Sequence, residues 1–318
     1  MLKDVTAVGM SPIPLQNSDT NEVKELRRRE LFREDLTQRL VRWVLGICFA
    51  CHPKRVAEVP LLITNMVADL RRGGTRVPNQ LTAPLEPNGF AGVAKNVTAD
   101  DVLEAARGGF FLWSHVGPLK WWTRRRRMVL HPSRFHIPKN IRRLLRNNKW
   151  RVTFDTAFDE VMKACAGQRA GRISGLTWIT PEIMRLYAEL YDRGDAHSFE
   201  VWDADGTLIG GGYGLSIGRV FVQESMFSHV RDSSKYGFAV FHHHLAKSGY
   251  VLTDGKDWAS ALKDRGFDVI PAAEYASILA SHAQCESPKV AWVAETNHAL
   301  VAELGAKSKP AGAAQKAA

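Results

Sequence analysis

The spacing of apolar residues predicts that the first third of the chain is mainly helical. In three segments, apolar side chains recur at steps of three and four residues, which is the period of one helix face. The segments run from Asn21 to about Phe49, from Val59 to Leu70, and from Thr98, a capping residue, to Gly108-Gly109. The proline-rich residues 75–89 predict a linker, and residues 1–20 predict a loose tail because they lack such a pattern.

The second half of the chain predicts a mixture of strands and helices. Pro181 opens a helix, because the first helical position needs no N–H. Tight turns at Asp205-Gly206 and Ile217-Gly218 then join the strands of an antiparallel meander, Ser198–Trp202, Leu208–Leu215 and Val220–Phe227. After it we expect the helix Ser233–Lys247, the strand Tyr250–Asp254, helices at Trp258–Arg265 and Lys289–Leu304, and a disordered tail.

The composition indicates a folded protein with a substantial core. The chain has 318 residues, of which 45% are apolar and 24% are charged, and this excludes disordered, collagen-like and disulfide-scaffold proteins. No apolar run reaches the roughly 18 to 20 residues of a membrane helix, and the N-terminus lacks the pattern of a secretory signal. The four cysteines do not form a disulfide framework. We therefore expect a cytoplasmic protein with reduced thiols and no membrane partner.

The positive charge is concentrated in one stretch. The net charge is +10, yet no acidic residue lies between Glu104 and Asp155, where thirteen Lys and Arg residues occur. The same stretch holds four of the nine tryptophans, which are Trp113, Trp121, Trp122 and Trp150. Since cations contact phosphates and indole rings stack on bases, this stretch predicts binding to a nucleic acid with unstacked bases. The alternative is a solvated basic face over a tryptophan-containing core.

Three motifs predict structure rather than a metal or phosphate site. The segment Cys48–His52 has the spacing of haem attachment or of half a zinc site, but no second ligand pair follows, and we expect both of its cysteines to pack along an apolar helix. His242, His243 and His244 point about 100° apart on a helix, so at least one should pack while the others face solvent. Gly210–Gly212 lies in a strand, where it favours close backbone approach to a ligand.

Two polar fragments at predicted strand ends are candidates for chemistry. One is Gln223–Ser228, which contains Glu224, and the other is Leu252–Lys256, which contains Asp254. Functional groups in α/β-type folds cluster beyond the carboxyl ends of strands. Each fragment could equally form a surface salt bridge or a helix cap.

A series of short blocks follows in a fixed order between Glu86 and Leu279. The most specific blocks are Thr177-Trp178-Ile179, Ala196-His197-Ser198 and Glu224-Ser225-Met226-Phe227-Ser228, and others are Gly108–Trp113, Trp121-Trp122, His136-Ile137, Tyr213 within its glycine run, Ser234-Lys235 and Asp254. In these blocks the chain resembles the bacterial leucyl/phenylalanyl-tRNA–protein transferase family. The first eighty residues exceed the usual start of the family and suggest a docking module.

The resemblance implies an α+β fold. A GNAT-like acyltransferase domain, with a mixed and mainly antiparallel sheet flanked by helices, would follow a small α/β domain and a helical N-terminal extension. The implied ranges are 1–85 for the extension with its flexible tail and linker, 86–150 for the small domain with its basic, Trp-rich tRNA face, 151–285 for the catalytic domain, and 286–318 for a C-terminal helix and tail.

The resemblance also implies a reaction. An amino acid, Leu or Phe by default, would move from a charged tRNA to the N-terminal α-amine of a protein or peptide, as in N-degron formation. Because the ester of the charged tRNA is already activated, no cofactor such as CoA, ATP or a metal is implied. We expect a monomer whose partners are aminoacyl-tRNA and an acceptor with a free N-terminus.

Other functions remain open at this point. The same fold could use charged tRNA to modify a small molecule or a special peptide, or it could bind tRNA without catalysis. A CoA-dependent N-acetyltransferase is disfavoured, because no pyrophosphate-binding loop of the Q/R-x-x-G-x-G/A type precedes the helix near Ser233.

Residue by residue, the resemblance assigns the centre of catalysis to Asp254, with Glu224 holding an amine. Lys256 stands where the family has a glutamine as its proposed proton acceptor, and a charged lysine offers only donors, so we expect it to stabilise the oxyanion or a phosphate. The residues expected to contact tRNA or its terminal adenosine are Trp113, Trp178, Trp121, Trp122, Arg124, Arg125, Arg126, Arg127, Arg142, Arg143 and Arg146.

The aminoacyl pocket and the remaining matched positions complete the assignment. The expected pocket residues are Gly212, Gln223, Phe238, Phe241, Leu245 and Thr253. Of these, Gly212, Gln223 and Thr253 depart from the usual family residues and make the pocket more polar. The other family-matched residues are His136, Tyr187, His197, Glu200, Tyr213, Ser225, Met226, Phe227, Ser228, Ser234 and Lys235.

Overall fold

The computed structural model describes residues 21–167, 176–288 and 290–307. The tail predicted at residues 1–20 and the C-terminal tail from residue 308 lie outside the described residues. The helices are α1 (Asn21–Leu31), α2 (Leu36–Ala50), α3 (Pro53–Val56), α4 (Val59–Arg71), α5 (Ala99–Arg107), α6 (Lys139–Arg146), α7 (Phe158–Ala166), α8 (Pro181–Asp192), α9 (Ser233–Lys247), α10 (Ser260–Lys263), α11 (Ala272–His282) and α12 (His298–Lys307).

The strands form two sheets. They are β1 (Phe90–Val93), β2 (Phe111–Leu112), β3 (Lys120–Trp122), β4 (Arg126–Leu130), β5 (Arg151–Phe154), β6 (Ala196–Trp202), β7 (Leu208–Ile217), β8 (Val220–Ser228), β9 (Leu252–Asp254) and β10 (Asp268–Pro271). The small sheet has the order β1-β3-β2, and the large sheet has the order β10-β4-β9-β8-β7-β6-β5. Neighbouring strands are antiparallel except for the parallel pair β8 and β9. The protein therefore has a mixed α+β architecture.

Helices cover both faces of the large sheet. Neighbouring residues of β8 point to opposite faces, so that Val222 joins the core formed with α5, α7 and α8, whereas Phe221 joins the core formed with α6, α9 and α12. The β4 strand lies within the range predicted for the small domain, 86–150, but pairs with β9 and β10 of the large sheet. The large sheet thus extends across the boundary drawn at residue 150.

Most predicted elements are confirmed. The meander corresponds to β6, β7 and β8, and α9 has the predicted ends. The cap of α5 is Thr98, whose side chain accepts from the N–H of Asp101, and that of α8 is Thr180, which precedes a proline at the first helical turn.

Several boundaries were wrong for identifiable reasons. The helix predicted over 21–49 is interrupted, because Asp35 forms a capping box with Gln38 that starts α2. The helix predicted at Trp258–Arg265 shrinks to the single turn of α10. The last helix begins at His298 rather than Lys289, and Trp292 in the irregular segment before it stacks on His197 with 3.6 Å between ring centroids.

Three smaller expectations also need correction. Cys48 and Cys51 are exposed rather than packed, because they face away from the domain on α2 and just after it. His242 and His243 are both buried, and only His244 is partly exposed. The closest neighbours of Gly210–Gly212 are protein atoms, namely Ser233, Phe199 and Met226, rather than an open ligand site.

Candidate active site

Asp254 is the last residue of β9 and lies at the centre of a buried polar network. Its side chain is 0% exposed and forms an ion pair with Arg127 of β4, whose Nε lies 3.2 Å from Oδ1. Tyr275 of α11 donates its hydroxyl to Oδ2 at 2.9 Å, and the backbone N–H of Lys256 donates to Oδ1 at 2.8 Å. Burial raises the pKa of the Tyr275 phenol, and the Asp254 charge adds to the effect. Four donors thus fix this carboxylate without access to solvent.

Lys256 and Glu224 meet beside this network. The Lys256 backbone has a φ of 65°, in the left-handed region, so the chain turns sharply after β9 and brings the ammonium to the Glu224 carboxylate. Tyr187 of α8 also bonds to Glu224, and burial together with the Glu224 charge raises the pKa of this tyrosine well above its ordinary value. The two fragments predicted from the sequence are therefore brought together, and Lys256 supplies the amine that contacts Glu224.

An aromatic cavity of about 150 Å³ opens above this ion pair. Its lining includes Phe111, Trp113 and Trp178 together with Arg124 and the Lys256–Glu224 pair. The Lys256 ammonium lies 5.2 Å from the Phe111 ring centre and 5.6 Å from that of Trp178. Flat rings beside a cation and a carboxylate suit a ligand with an aromatic base and a polar reacting group.

The predicted tRNA-binding residues divide into exposed and buried groups. Arg125 and Arg126 are exposed, and together with Arg124 they line a second cavity of about 620 Å³. On α6, Arg143 and Arg146 are exposed, whereas Arg142 is half-buried and its Nε has no partner among the described residues. These exposed guanidinium groups remain candidates for phosphate contacts.

Three members of the predicted tRNA-binding set are buried, which contradicts their assignment to tRNA contacts. Trp121 is fully buried and donates its indole N–H to the Thr75 carbonyl at 3.1 Å, so it cannot stack on a base. Arg127 is 1% exposed and pairs with Asp254, so it cannot meet a phosphate. Trp122 is also buried, with its N–H bonded to the Trp113 carbonyl at 2.7 Å, and it supports Trp113 from below. The sequence pattern could not separate an inward from an outward side chain within the basic run.

The predicted aminoacyl pocket lies on the opposite face of the sheet from Asp254. Phe238, Phe241 and Leu245 of α9 are buried in the core on that face. Thr253 bonds to Nε2 of His242 at 3.0 Å, and burial lowers the pKa of His242 to about 3. A Cβ at Gly212 would lie 2.5 Å from Met226 and 2.8 Å from Phe199. The residues predicted to line an aminoacyl pocket therefore form a packed core here.

Polar atoms without partners among the described residues occur beside this packed core. Gln223 has a buried Oε1, and Arg265 has a buried Nε, and neither atom has a partner among the described residues. The Arg265 guanidinium lies 5.2 Å from the Phe238 ring centre and contacts the Met226 sulfur at 3.8 Å. Burial lowers the pKa of Arg265 to about 10. The sequence reasoning missed Arg265, because no local pattern distinguishes it from a surface arginine.

The other family-matched residues mostly serve the fold. Glu200 is buried and accepts from Thr153, Thr156 and Ser198. Three others form side-chain hydrogen bonds: His197 with Asp155, Ser228 with Ser234, and Lys235 with Asp232. Tyr213 packs edge-on against Tyr187, and Ser225 and Phe227 are buried. His136 is half-buried, and its Nδ1 has no partner among the described residues.

The described residues hold no evident metal centre. In the ranges 21–167, 176–288 and 290–307, no group of three or more His, Cys, Asp or Glu side chains is arranged to hold an ion. In the same ranges, each helix is too short or too polar to cross a lipid bilayer.

Comparison with known proteins points to one family. A family model described as leucyl/phenylalanyl-tRNA protein transferase matches residues 129–280. The enzyme of that name from Azotobacter vinelandii is 39% identical over 231 residues, which cover 72% of this chain and all of that protein. The Pseudomonas syringae pv. tomato enzyme is 41% identical over 215 residues, which cover 67% of this chain and 93% of that protein.

Similarity to solved structures is much weaker. L-PGS from Bacillus licheniformis aligns with a TM-score of 0.28 and 11% identity over 56% of this chain and 64% of that chain. A conserved protein of unknown function from Bacteroides thetaiotaomicron aligns with a TM-score of 0.31 and 11% identity over 44% of this chain and 53% of that chain. Both scores are too low to establish a shared fold.

Proposed function

Because this chain belongs to the leucyl/phenylalanyl-tRNA–protein transferase family, we propose that it moves an amino acid, Leu or Phe by default, from charged tRNA to the N-terminal α-amine of a protein or peptide. The observation that carries the proposal is the Lys256–Glu224 pair at the floor of an aromatic cavity beside the buried Asp254. Cytoplasm is the compartment in which charged tRNA is available, and we assign the reaction there.

The reaction is the aminolysis of an ester. The acceptor nitrogen attacks the carbonyl carbon, an oxyanion forms, the bond to the ribose oxygen breaks, and the proton lost by the amine ends on that ribose oxygen. Such a reaction needs a neutral amine close to the carbonyl and donors for the developing oxyanion. No CoA, ATP or metal takes part in our scheme, because the ester already carries the activation.

Lys256 and Glu224 are the groups that would contact the reacting atoms. An ammonium has three N–H donors, so after its bond to Glu224 Lys256 retains donors for the ester oxygen. Glu224 would orient the incoming amine and accept its proton. The phenol of Tyr187 holds Glu224 from the other side.

Asp254 would act by positioning rather than by touching the substrate. It is 0% exposed, and Arg127 and Tyr275 already occupy its oxygens. Its bond to the backbone N–H of Lys256 fixes the turn that carries the ammonium into the cavity. We therefore assign to Asp254 the geometry of the site and to Lys256 the stabilisation of the oxyanion.

The terminal adenosine would lie between Trp113 and Trp178. Both rings line the aromatic cavity, and stacking on such rings contributes about 1–3 kcal/mol per base. The exposed Arg125 and Arg126 and the exposed arginines of α6 would contact the phosphates of the tRNA stem. In this scheme residues 86–150 supply most of the tRNA face and residues 151–285 most of the catalytic surface.

We further propose a GNAT-like fold for the large sheet. The antiparallel strands β6, β7 and β8 are followed by α9 and by β9, which lies parallel to β8, and this order supports the assignment. The site lies where β9 ends opposite Val222 of β8, two residues before Glu224, and the carboxyl end of a parallel strand is where such folds place ligands.

The decisive experiment is a transfer assay with a pool of charged tRNA in which each amino acid is labelled in turn. Peptides that begin with Lys, Arg or a neutral residue serve as acceptors, beside a cell extract. We expect labelled Leu or Phe on the peptides that begin with Lys or Arg.

Two other outcomes would replace this assignment. Label on only an extract component, or from another amino acid, would indicate a transferase with a different donor or acceptor, such as a small molecule or special peptide. Tight, salt-sensitive tRNA binding without any transfer would indicate a non-catalytic tRNA-binding protein.

A further inference from the structure

A larger cavity, of about 550 Å³, adjoins the aromatic cavity at the active site. The two cavities share Trp113, Arg124 and Asp257 as walls. The far wall of the larger cavity is formed by the helices α2 and α4 and the short α3 between them. The sequence blocks that carry the family resemblance begin at about Glu86, after this wall.

The N-terminal helices are closely fitted to the small sheet at this point. A Cβ at Gly46 of α2 would lie 2.8 Å from the His115 carbonyl oxygen and from the Val116 Cβ, so only glycine allows this approach. Phe49 packs edge-on against Trp113 at 6.4 Å and against His115 at 4.7 Å between ring centroids. The N-terminal helices, through α2, therefore pack against the active site and extend its aromatic surface.

Two guanidinium groups border the same cavity. Arg55 lies 3.6 Å from the centre of the Phe49 ring, and Arg124 lines the cavity from the other side. Burial and the charge of Arg124 lower the pKa of Arg55, although Glu58 and Asp257 oppose this effect. Arg124 pairs with Asp257 at 2.8 Å, and Glu58 and Lys120 also line the cavity, so its three cationic side chains exceed its two carboxylates by one charge. This excess favours a ligand with a single negative charge.

We propose that this cavity binds the nucleotide that precedes the terminal adenosine of the single-stranded tRNA 3′ end, with its base against Phe49 and its phosphate near Arg55 and Arg124. The proposal rests on the proposed function, which places the terminal adenosine in the adjoining cavity. Consecutive nucleotides of a single strand occupy consecutive aromatic and cationic sites in proteins that bind them. The N-terminal extension thus becomes part of the donor-binding site.

The test compares two minimal donors, of which only one carries the nucleotides that precede the terminal adenosine. One is an aminoacyl-adenosine, and the other is the aminoacylated trinucleotide cytidine-cytidine-adenosine. In Phe49→Ala and Arg55→Ala we expect kcat/KM for the trinucleotide donor to fall at least about fivefold, the lower end of the loss for one stacked base. The value for aminoacyl-adenosine should stay within twofold of that of the wild type.

Matched controls come from exposed positions of α2. Leu40→Ala and Arg39→Ala remove an apolar and a charged side chain from α2 away from the cavity, and neither should affect either donor. Thermal unfolding of each variant confirms that the assays are made on folded protein.

The outcomes separate failure of this proposal from failure of the proposed function. An equal loss of kcat/KM with both donors, or no loss with either, would overturn the nucleotide site. A rise in KM for the acceptor peptide alone would also overturn it and would assign the cavity to the acceptor. If the wild type transferred nothing, binding of the uncharged trinucleotide against adenosine would still test the site by calorimetry. Equal affinity of the wild type for the two would overturn it.

Discussion

Asp254 shows how much of the site depends on a residue that solvent never reaches. Three elements converge on one carboxylate: β4 through Arg127, α11 through Tyr275, and the turn after β9 through the Lys256 backbone. Removing one partner of a buried ion pair typically costs about 3–5 kcal/mol, because it leaves the other charge uncompensated. The same change also releases the turn that holds Lys256.

We therefore expect Asp254→Asn to lower kcat about 100-fold, the scale of a misplacement of about 1 Å, while KM for charged tRNA stays within threefold. The melting temperature should fall by several degrees. Steady-state transfer kinetics and thermal unfolding measure the two effects. As a control, replacing both Arg127 and Asp254 with apolar residues should recover stability without recovering kcat. Turnover at the wild-type rate in Asp254→Asn would contradict the positioning role of Asp254.

At the scale of elements, the edge of the large sheet is held by a buried carboxylate. Glu200 of β6 lies opposite Thr153 of β5 in the ladder and accepts its hydroxyl at 2.6 Å. Burial raises the pKa of Glu200 to about 7 from its ordinary value of 4.5, although the hydroxyls of Ser198, Thr153 and Thr156 oppose this shift. The folded protein thus binds a proton here that the unfolded chain has lost above pH 4.5.

This shift predicts a pH dependence of stability. A raised carboxyl pKa contributes stability that is fully present below pH 4.5 and is lost as the pH rises to about 7. Glu200→Gln, which keeps an acceptor and never ionises, should therefore gain stability relative to the wild type as the pH rises from 5 to 8. Denaturant unfolding at several pH values measures the difference, and a constant difference would contradict the assignment of this proton.

Elements with a strong local pattern could be predicted, and contacts between distant segments could not. The α9 helix has both predicted ends, because its apolar run and turn residues are local. The polar fragments that contain Asp254, Lys256 and Glu224 could be singled out at predicted strand ends, whereas the roles of these residues came from the family resemblance. Tyr275 was missed, and Arg127 was assigned to phosphate, because both meet Asp254 only through pairings that no local pattern encodes.

For the whole molecule, the excess positive charge predicts strongly salt-dependent tRNA binding. The exposed Arg143 and Arg146 lie on α6, in the stretch without acidic residues. Each arginine that neutralises a phosphate adds roughly 0.7–0.9 to the slope of log affinity against log salt concentration. Arg143→Ala with Arg146→Ala should therefore reduce this slope by roughly 1.5 with little effect on kcat.

Binding titrations at several salt concentrations measure the slope. The control is Arg29→Ala with Arg39→Ala, which removes the same charge from exposed positions on α1 and α2, outside the predicted tRNA face. Equal loss of slope in the two pairs would mean that net charge alone, rather than a defined face of the protein, attracts the tRNA.

The position of β4 in the large sheet has a consequence for how the protein is made. Arg127 of β4 and its partner Asp254 are 127 residues apart in the chain. At about 5–20 residues per second, a ribosome needs roughly 6–25 s to synthesise the segment between them. Throughout that time Met128, Val129 and Leu130, all buried in the finished fold, have no sheet partner. The active centre is thus assembled late, and a nascent chain that stops before β9 carries an unpaired apolar strand that chaperones or proteases can recognise.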